Sequence, residues 1–146
     1  MIRGWFDSIH GWPVPRVRAT VSLHGLSRAS VATTSISFLI DTGSGISALH
    51  LLDATKRVGI PRAWLAGKSR WSRQQSVSGI GGTTTYFSAA CRYGFEHAGG
   101  RTQEIDGVIR VAPITQNQEL PSVLGWDVFR HFRLTADLRS RELTLE

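Results

Sequence analysis

The stretch ISFLIDTGS, residues 36–44, places an ionisable side chain directly after a run of apolar and β-forming residues. Asp41 stands at the end of this predicted buried strand, where an unpaired carboxylate is costly or loses its charge. Thr42 and Gly43 indicate a tight turn, because glycine adopts backbone angles closed to other residues and threonine supplies a hydroxyl. An aspartate in this position therefore needs a partner or a chemical role.

A second informative segment is VSGIGGTTTYF, residues 77–87. Its glycines surround a single isoleucine, and β-forming residues flank them, which predicts a hairpin with a mobile glycine-rich tip. A phosphate-binding loop is the weaker interpretation, because neither a helical pattern nor a Lys-Ser/Thr pair follows.

The third segment is LPSVLGWDVFRHF, residues 120–132. Two apolar residues before Gly125 indicate the end of a strand. The spacing of Val128, Phe129 and Phe132 then fits one face of a short helix, with Asp127 in its first turn. Taken alone, this pattern indicates core packing. A final strand pair is predicted over residues 134–138 and 142–145.

The order and identity of these three segments resemble the aspartic proteases, in particular the small, single-lobed retropepsin-like branch. The resemblance covers roughly residues 12–146. Asp41-Thr42-Gly43-Ser44 matches the active-site loop, and the Gly-Ile-Gly-Gly tip matches the flap that closes over the substrate. The implied fold class is mostly β, with a closed acid-protease (retropepsin-like) barrel and one short C-terminal helix.

Peptide hydrolysis by this route needs two carboxylates that share one proton around a water molecule. The chain contains a single Asp-Thr-Gly, and none of the other aspartates reproduces the turn. One chain therefore supplies half of a site. The resemblance implies a homodimer in which two Asp41 residues meet at the two-fold axis and hydrolyse a peptide or protein substrate.

The resemblance also assigns roles within the site. Asp41, Thr42 and Gly43 form the catalytic loop, in which Thr42 would hydrogen-bond across the dimer and Gly43 would let the loops approach. The candidate substrate-binding residues are Ser44, Gly45, Ile80, Gly81 and Gly82. The first two would line the cleft, and the last three would cover the substrate and exclude bulk water.

Two positions depart from the retropepsin pattern. Many retropepsins have an acid where this chain has Gly45, and an arginine where it has Trp126. Both members of a possible ion pair are absent together, so no charge loses its partner. We expect Trp126 either to pack at the subunit interface, with residues 142–145 as a further contact, or to fill the core behind its helix.

Further elements follow from the pattern along the chain. Alternation predicts strands at residues 17–23 and 87–95, the latter with Cys91 on its apolar side as a core residue. Strands are also predicted at residues 31–40 and around 108–114, and a short helix at 51–58 before Gly59 and Pro61. The Pro- and Trp-rich residues 1–12 are expected to be an irregular extension.

Composition sets the remaining expectations. The 146 residues suit a single domain, residues 1–146, and a hydrophobic content of 41% is ordinary for a globular protein. We expect no membrane span and no signal peptide, and therefore a cytoplasmic protein. One cysteine excludes an internal disulfide, and the histidine spacing indicates no metal site. No cofactor is expected.

The net charge of +6 raises the possibility of an acidic partner. The basic stretch from Arg62 to Arg73, with Trp64 and Trp71 between its cations, could contact nucleic acid, but a solvated loop is the favoured interpretation. The main alternative to a protease is a non-catalytic dimer of the same fold that binds peptides. Retention of the whole Asp-Thr-Gly turn argues against that alternative.

Overall fold

The computed structural model describes residues 1–26, 33–67, 71, 73–79, 82–116 and 119–146, and these residues are mostly β. The strands are β1 (Ile2–Arg3), β2 (Trp5–Ile9), β3 (Trp12–His24), β4 (Thr34–Ile40), β5 (Ala48–Leu49), β6 (Arg73–Gly79), β7 (Gly82–Glu96), β8 (Thr102–Val111), β9 (Val123–Leu124), β10 (Leu134–Asp137) and β11 (Glu142–Leu145). The helices are a π-helix (Asp53–Arg57), α1 (Arg62–Leu65) and α2 (Trp126–Phe129).

Within the described residues the strands form two sheets. The larger has the order β2-β3-β4-β9-β5-β8-β7-β6, and β3 also pairs with β7. This extra pairing returns the order to β3, so that β3, β4, β9, β5, β8 and β7 form a continuous circuit of backbone pairs. The smaller sheet has the order β1-β11-β10 and joins the two ends of the chain.

The pairing that positions the candidate site is the parallel contact between β4 and β9. Leu39 is opposite Val123, and Ile40 is opposite Leu124. The Asp41 N–H then donates to the Leu124 carbonyl at 3.0 Å. Along β4 the buried residues Ile36, Phe38 and Ile40 alternate with less buried ones, so one face of the strand packs on the core up to Asp41.

The core is one cluster that joins the strands of this circuit to α2 and to the smaller sheet. Its largest buried side chains are Phe38, Tyr93, Phe95, Phe129, Ile36 and Leu49. Phe38 and Tyr93 meet edge to face with ring centroids 6.3 Å apart, a favourable geometry for aromatic pairs. Cys91 is buried in the same cluster, as its alternation predicted, and burial raises the pKa of its thiol to about 12.

The prediction of an irregular N-terminal extension is wrong. β2 pairs with β3 from Trp5 opposite Arg16 to Ile9 opposite Trp12, and the positive φ angles of His10 and Gly11 fit a two-residue hairpin turn. β4 pairs with β3 only from Arg16 onward. Pro13 and Pro15 therefore lie in the part of β3 that has no strand on the β4 side. Proline has no N–H to donate to a neighbouring strand, so it is tolerated at such an edge.

The other predictions differ from the structure mainly at element boundaries. The predicted helix at 51–58 contains the π-helix, whereas α1 lies inside the stretch predicted to be a basic loop. β8 begins at Thr102, well before the predicted 108, and the final strand pair is confirmed. Val31, Ile80, Gly81, Lys68 and Arg70, which carried other predictions, lie outside the described residues.

None of the helices in the described ranges has the length and apolar character that crossing a bilayer requires.

Candidate active site

Asp41 begins a tight turn at the end of β4. Its carboxylate oxygen Oδ1 accepts a hydrogen bond from the Gly43 N–H at 3.0 Å, and its carbonyl accepts one from the Ser44 N–H at 3.2 Å. Gly43 does not have a positive φ. A Cβ atom there would lie 3.3 Å from Asp41 Oδ1, so glycine is used for its close approach to the carboxylate.

The turn is supported from behind by the start of α2. The Trp126 N–H donates to the Ser44 carbonyl at 2.9 Å, and the Asp127 N–H donates to the Gly45 carbonyl at 3.3 Å. Gly125 leaves no space for a side chain, because a Cβ atom would lie 2.5 Å from the Ile46 carbonyl oxygen. This close approach explains why a glycine precedes the helix.

A polar cluster lies beneath the turn. The Asp127 carboxylate accepts from Ser47 N–H at 2.9 Å and from Ser47 Oγ at 2.6 Å, and Ser47 Oγ accepts from the Gly125 N–H at 3.0 Å. The Arg110 guanidinium lies 3.3 Å from the same carboxylate. The sequence placed Asp127 in the first helical turn. It gave no sign that Ser47 and Arg110 would be its partners.

Trp126 lies on the surface beside the turn. Its side chain is 52% exposed, its indole N–H donates to the Thr42 carbonyl at 2.7 Å, and its ring meets Phe129 edge to face. The alternative in which Trp126 fills the core is therefore wrong for this chain. Thr42 is also exposed, so the two residues form one surface beside Asp41.

A cleft of about 880 Å³ separates the Asp41 turn from the β6–β7 hairpin. The candidate residues that line it are Asp41, Gly43, Ser44, Gly45 and Gly82. Thr42 lies beside it, and Ile80 and Gly81 lie outside the described residues. The structure thus brings most of the described candidates from the loop and from the hairpin to one cavity.

The hairpin presents one face to this cleft. Gln75 is opposite Tyr86, and Val77 is opposite Thr84, and directly opposed residues share a face. All four line the cleft. Tyr86 and Val77 also pack in a small apolar cluster with Ala48, which anchors the hairpin against the end of β5.

Tyr86 belongs to a chain of hydrogen bonds that sequence reasoning missed. Its hydroxyl lies 3.2 Å from His50 Nε2 and is hydrogen-bonded to the Gln116 amide, while His50 Nδ1 bonds the Pro121 carbonyl. Burial lowers the pKa of His50, opposed by the Pro121 hydrogen bond and the charge of Asp53. Burial also raises the pKa of Tyr86. Both groups are therefore neutral near pH 7.

Among the described residues, no group of three or more His, Cys, Asp or Glu side chains could hold a metal ion.

Comparison with solved structures identifies a similar fold. A retropepsin-like aspartic protease from Rickettsia conorii aligns over 99% of this chain and 91% of its own, with a TM-score of 0.53 and 14% sequence identity. The chain shares its fold with that protease. No family model and no curated protein matches the sequence. At this identity the similarity shows the fold alone.

The contact at Gly125 leads to a prediction about stability. Gly125→Ala should lower the free energy of unfolding by about 1–3 kcal/mol, because its Cβ atom would overlap backbone that is fixed on both sides. Urea denaturation measures the change. Gly45→Ala is the matched control, since a Cβ atom there meets none of the described residues within 4 Å. Equal stability of the two variants would contradict the close packing.

The burial of His50 leads to a prediction about pH. The folded state keeps His50 neutral below its ordinary pKa of 6.5, whereas the unfolded chain binds the proton. The contribution of His50 to the free energy of unfolding is therefore highest above pH 6.5 and decreases as the pH falls below it, because only the unfolded chain then binds the proton. His50→Gln should lose less stability than wild type between pH 7.5 and 5, as measured by urea denaturation. If the curves of His50→Gln and wild type ran parallel, the effect would be excluded.

Proposed function

We propose that the protein is an aspartic endopeptidase, which hydrolyses peptide bonds through a water molecule activated by two Asp41 carboxylates of a homodimer. The observation that carries the proposal is the position of Asp41 in the cleft beneath the β6–β7 hairpin. The shared fold supports it. The circuit of strand pairs would then be the closed barrel that supports the catalytic loop.

The proposed chemistry divides two roles between identical residues. One ionised Asp41 takes a proton from the water as the water attacks the peptide carbonyl. The other Asp41, protonated, donates a hydrogen bond to the carbonyl oxygen as negative charge develops there. Asp41 is the one charged residue among the described residues that line the cleft, so a second carboxylate has to come from another chain.

The surface beside Asp41 supports the proposed dimer. Thr42 is exposed, and the half-exposed ring of Trp126 is held against it by the indole hydrogen bond. β11, the other candidate contact, is the central strand of its sheet, so both of its backbone edges are paired within the chain. Trp126 is therefore the stronger candidate for the contact between subunits.

The role of Asp41 is tested by Asp41→Asn. The amide is nearly isosteric but cannot act as a base, so cleavage of casein should fall by at least about a thousandfold while the fold persists. The matched control is Asp106→Asn, at an exposed carboxylate paired with Arg92 on the surface, which should retain wild-type activity. Cleavage by Asp41→Asn at the wild-type rate would show that Asp41 is not the catalytic residue. Binding of peptides by wild type without cleavage would instead support the non-catalytic, peptide-binding alternative.

Mixing the two proteins tests whether one site needs two chains. When subunits exchange freely and equal amounts are mixed, the activity per wild-type chain should fall to about half, because mixed dimers carry only one Asp41 carboxylate. Unchanged activity per wild-type chain would show that each chain works alone.

The interface role of Trp126 leads to a separate prediction. Trp126→Ala should raise the dimer dissociation constant by about tenfold or more, because buried aromatic rings often dominate interfaces. Trp126→Phe is the matched variant, since it keeps an aromatic ring and removes only the bond to Thr42. It should dissociate less than the alanine variant. Sedimentation velocity measures both, and an unchanged dimer constant with a lowered melting temperature would refute the interface role.

A further inference from the structure

A continuous chain of polar contacts joins the β6–β7 hairpin to the support of the Asp41 turn. Gln75 Oε1, on β6, accepts a hydrogen bond from Arg110 Nε at 2.8 Å. Arg110 Nη1 lies 3.3 Å from the Asp127 carboxylate, which accepts from both the N–H and the hydroxyl of Ser47. One arginine on β8 thus connects the hairpin on one side of the cleft with the turn on the other.

Arg110 is itself held in place by its backbone and by its side chain. β8 pairs with β7 on one side, where Arg110 is opposite Ser88, and with β5 on the other, where it is opposite Ala48. Its N–H donates to the Ser47 carbonyl at 3.0 Å. Its side chain is 16% exposed, and Nη1 also donates to the Val108 carbonyl at 3.2 Å. Arg110 is therefore a fixed point to which the hairpin is attached.

The outer part of the hairpin has little other support from the backbone. β6 is the last strand of the large sheet, and β7 pairs with β8 only from Phe87 onward, so residues 82–86 have β6 as their strand partner. Within the described part of the chain, Gln75 makes the one side-chain hydrogen bond that joins β6 to a residue outside the hairpin. The position of β6 beyond its start consequently depends on this contact and on the apolar packing of Val77.

The second strand of the hairpin has a separate attachment. Tyr86, directly opposite Gln75, is hydrogen-bonded to His50 and to Gln116. His50 in turn bonds the Pro121 carbonyl. Because this attachment does not include Arg110, the Gln75 contact can be removed by mutation while the other remains.

We propose that Arg110 is a positioning residue, which holds the β6–β7 hairpin through Gln75 in the arrangement that binds substrate. The proposal rests on the proposed function, because the hairpin is taken to cover a peptide. The contacts between Asp127 and Ser47 that support the Asp41 turn do not require Gln75. Loss of the Gln75 contact should therefore lower the fraction of protein that is competent to bind, and the apparent affinity falls in proportion to that fraction.

Gln75→Met tests the effect on substrate binding. The variant removes the acceptor for Arg110 Nε but keeps a side chain of similar length at an exposed position. The KM for casein should rise by about threefold to tenfold, the factor that one net hydrogen bond typically contributes, while kcat stays within about twofold. An unchanged KM would overturn the proposal.

Gln74→Met is the matched control for this measurement. Successive side chains of a strand point to opposite faces, and Gln74 lines a different cavity from Gln75. The control variant should keep the wild-type KM and kcat. A KM raised equally in both variants would show that the effect does not come from the contact with Arg110, and would overturn the proposal.

Hydrogen exchange measures the attachment of the hairpin without any substrate. In Gln75→Met the backbone amides of residues 82–86 should exchange about threefold to tenfold faster than in wild type at pH 7, because the hairpin opens more easily. Gln75→Glu is the conservative variant, since a carboxylate oxygen also accepts from Arg110 Nε, and it should keep the slow exchange. Fast exchange in both variants would show that the contact with Arg110 does not hold the hairpin.

Arg110→Lys tests whether Arg110 acts through Gln75. Lysine keeps a positive charge beside Asp127, but its single ammonium group lacks the separate Nε donor. The KM for casein should rise, and the double variant with Gln75→Met should be no worse than Arg110→Lys alone. Effects of the two changes that multiply independently would overturn the assignment of Arg110 as a residue that acts through Gln75.

Exchange and cleavage together separate this proposal from the proposed function. Faster exchange in Gln75→Met, for a protein whose wild type does not cleave casein, would support the attachment of the hairpin and refute the protease. Cleavage by wild type, with unchanged KM and unchanged exchange in Gln75→Met, would support the protease and refute the positioning role of Arg110.

Discussion

The Asp127 carboxylate is the group on which the arrangement of the candidate site depends. It accepts both donors of Ser47 and pairs with Arg110, so one side chain joins the segment after the Asp41 turn, the start of α2 and the end of β8. Hydrogen bonds to a charged group contribute about 1.5–3 kcal/mol each, more than neutral ones. Removing this carboxylate would leave Arg110 as an unpaired, largely buried cation.

The same pairing explains how the cleft can be polar and yet almost free of charge. Arg110 is neutralised from behind by Asp127, so it influences the cleft through the Gln75 amide that it orients. His50 and Tyr86 are kept neutral by burial and influence the cleft through Gln116. The Asp41 carboxylate therefore has little competition from other charges in the lining that the structure describes.

The sequence predicted those parts of the fold whose signals are local. The turn after Asp41, the β6–β7 hairpin and the helix after Gly125 each have a pattern within a dozen residues, and each lies where it was expected. The N-terminal hairpin was missed because Pro13 and Pro15 argue against a strand until its pairing is known. The partners Ser47, Arg110 and Gln75 were missed because their contacts join residues far apart in the chain, and no periodicity records such contacts.

The smaller sheet has a consequence for how the chain reaches this structure. β1 pairs with β11, so Ile2 is opposite Leu145, and these residues are separated by almost the whole sequence. Closing so long a segment has a large entropic cost unless the strands between the two ends are already in place. β10 and β11 follow directly after α2, so the helix that supports the Asp41 turn is joined in sequence to the strand that pairs with the N-terminus. Loss of β1 would leave one backbone edge of β11 unpaired.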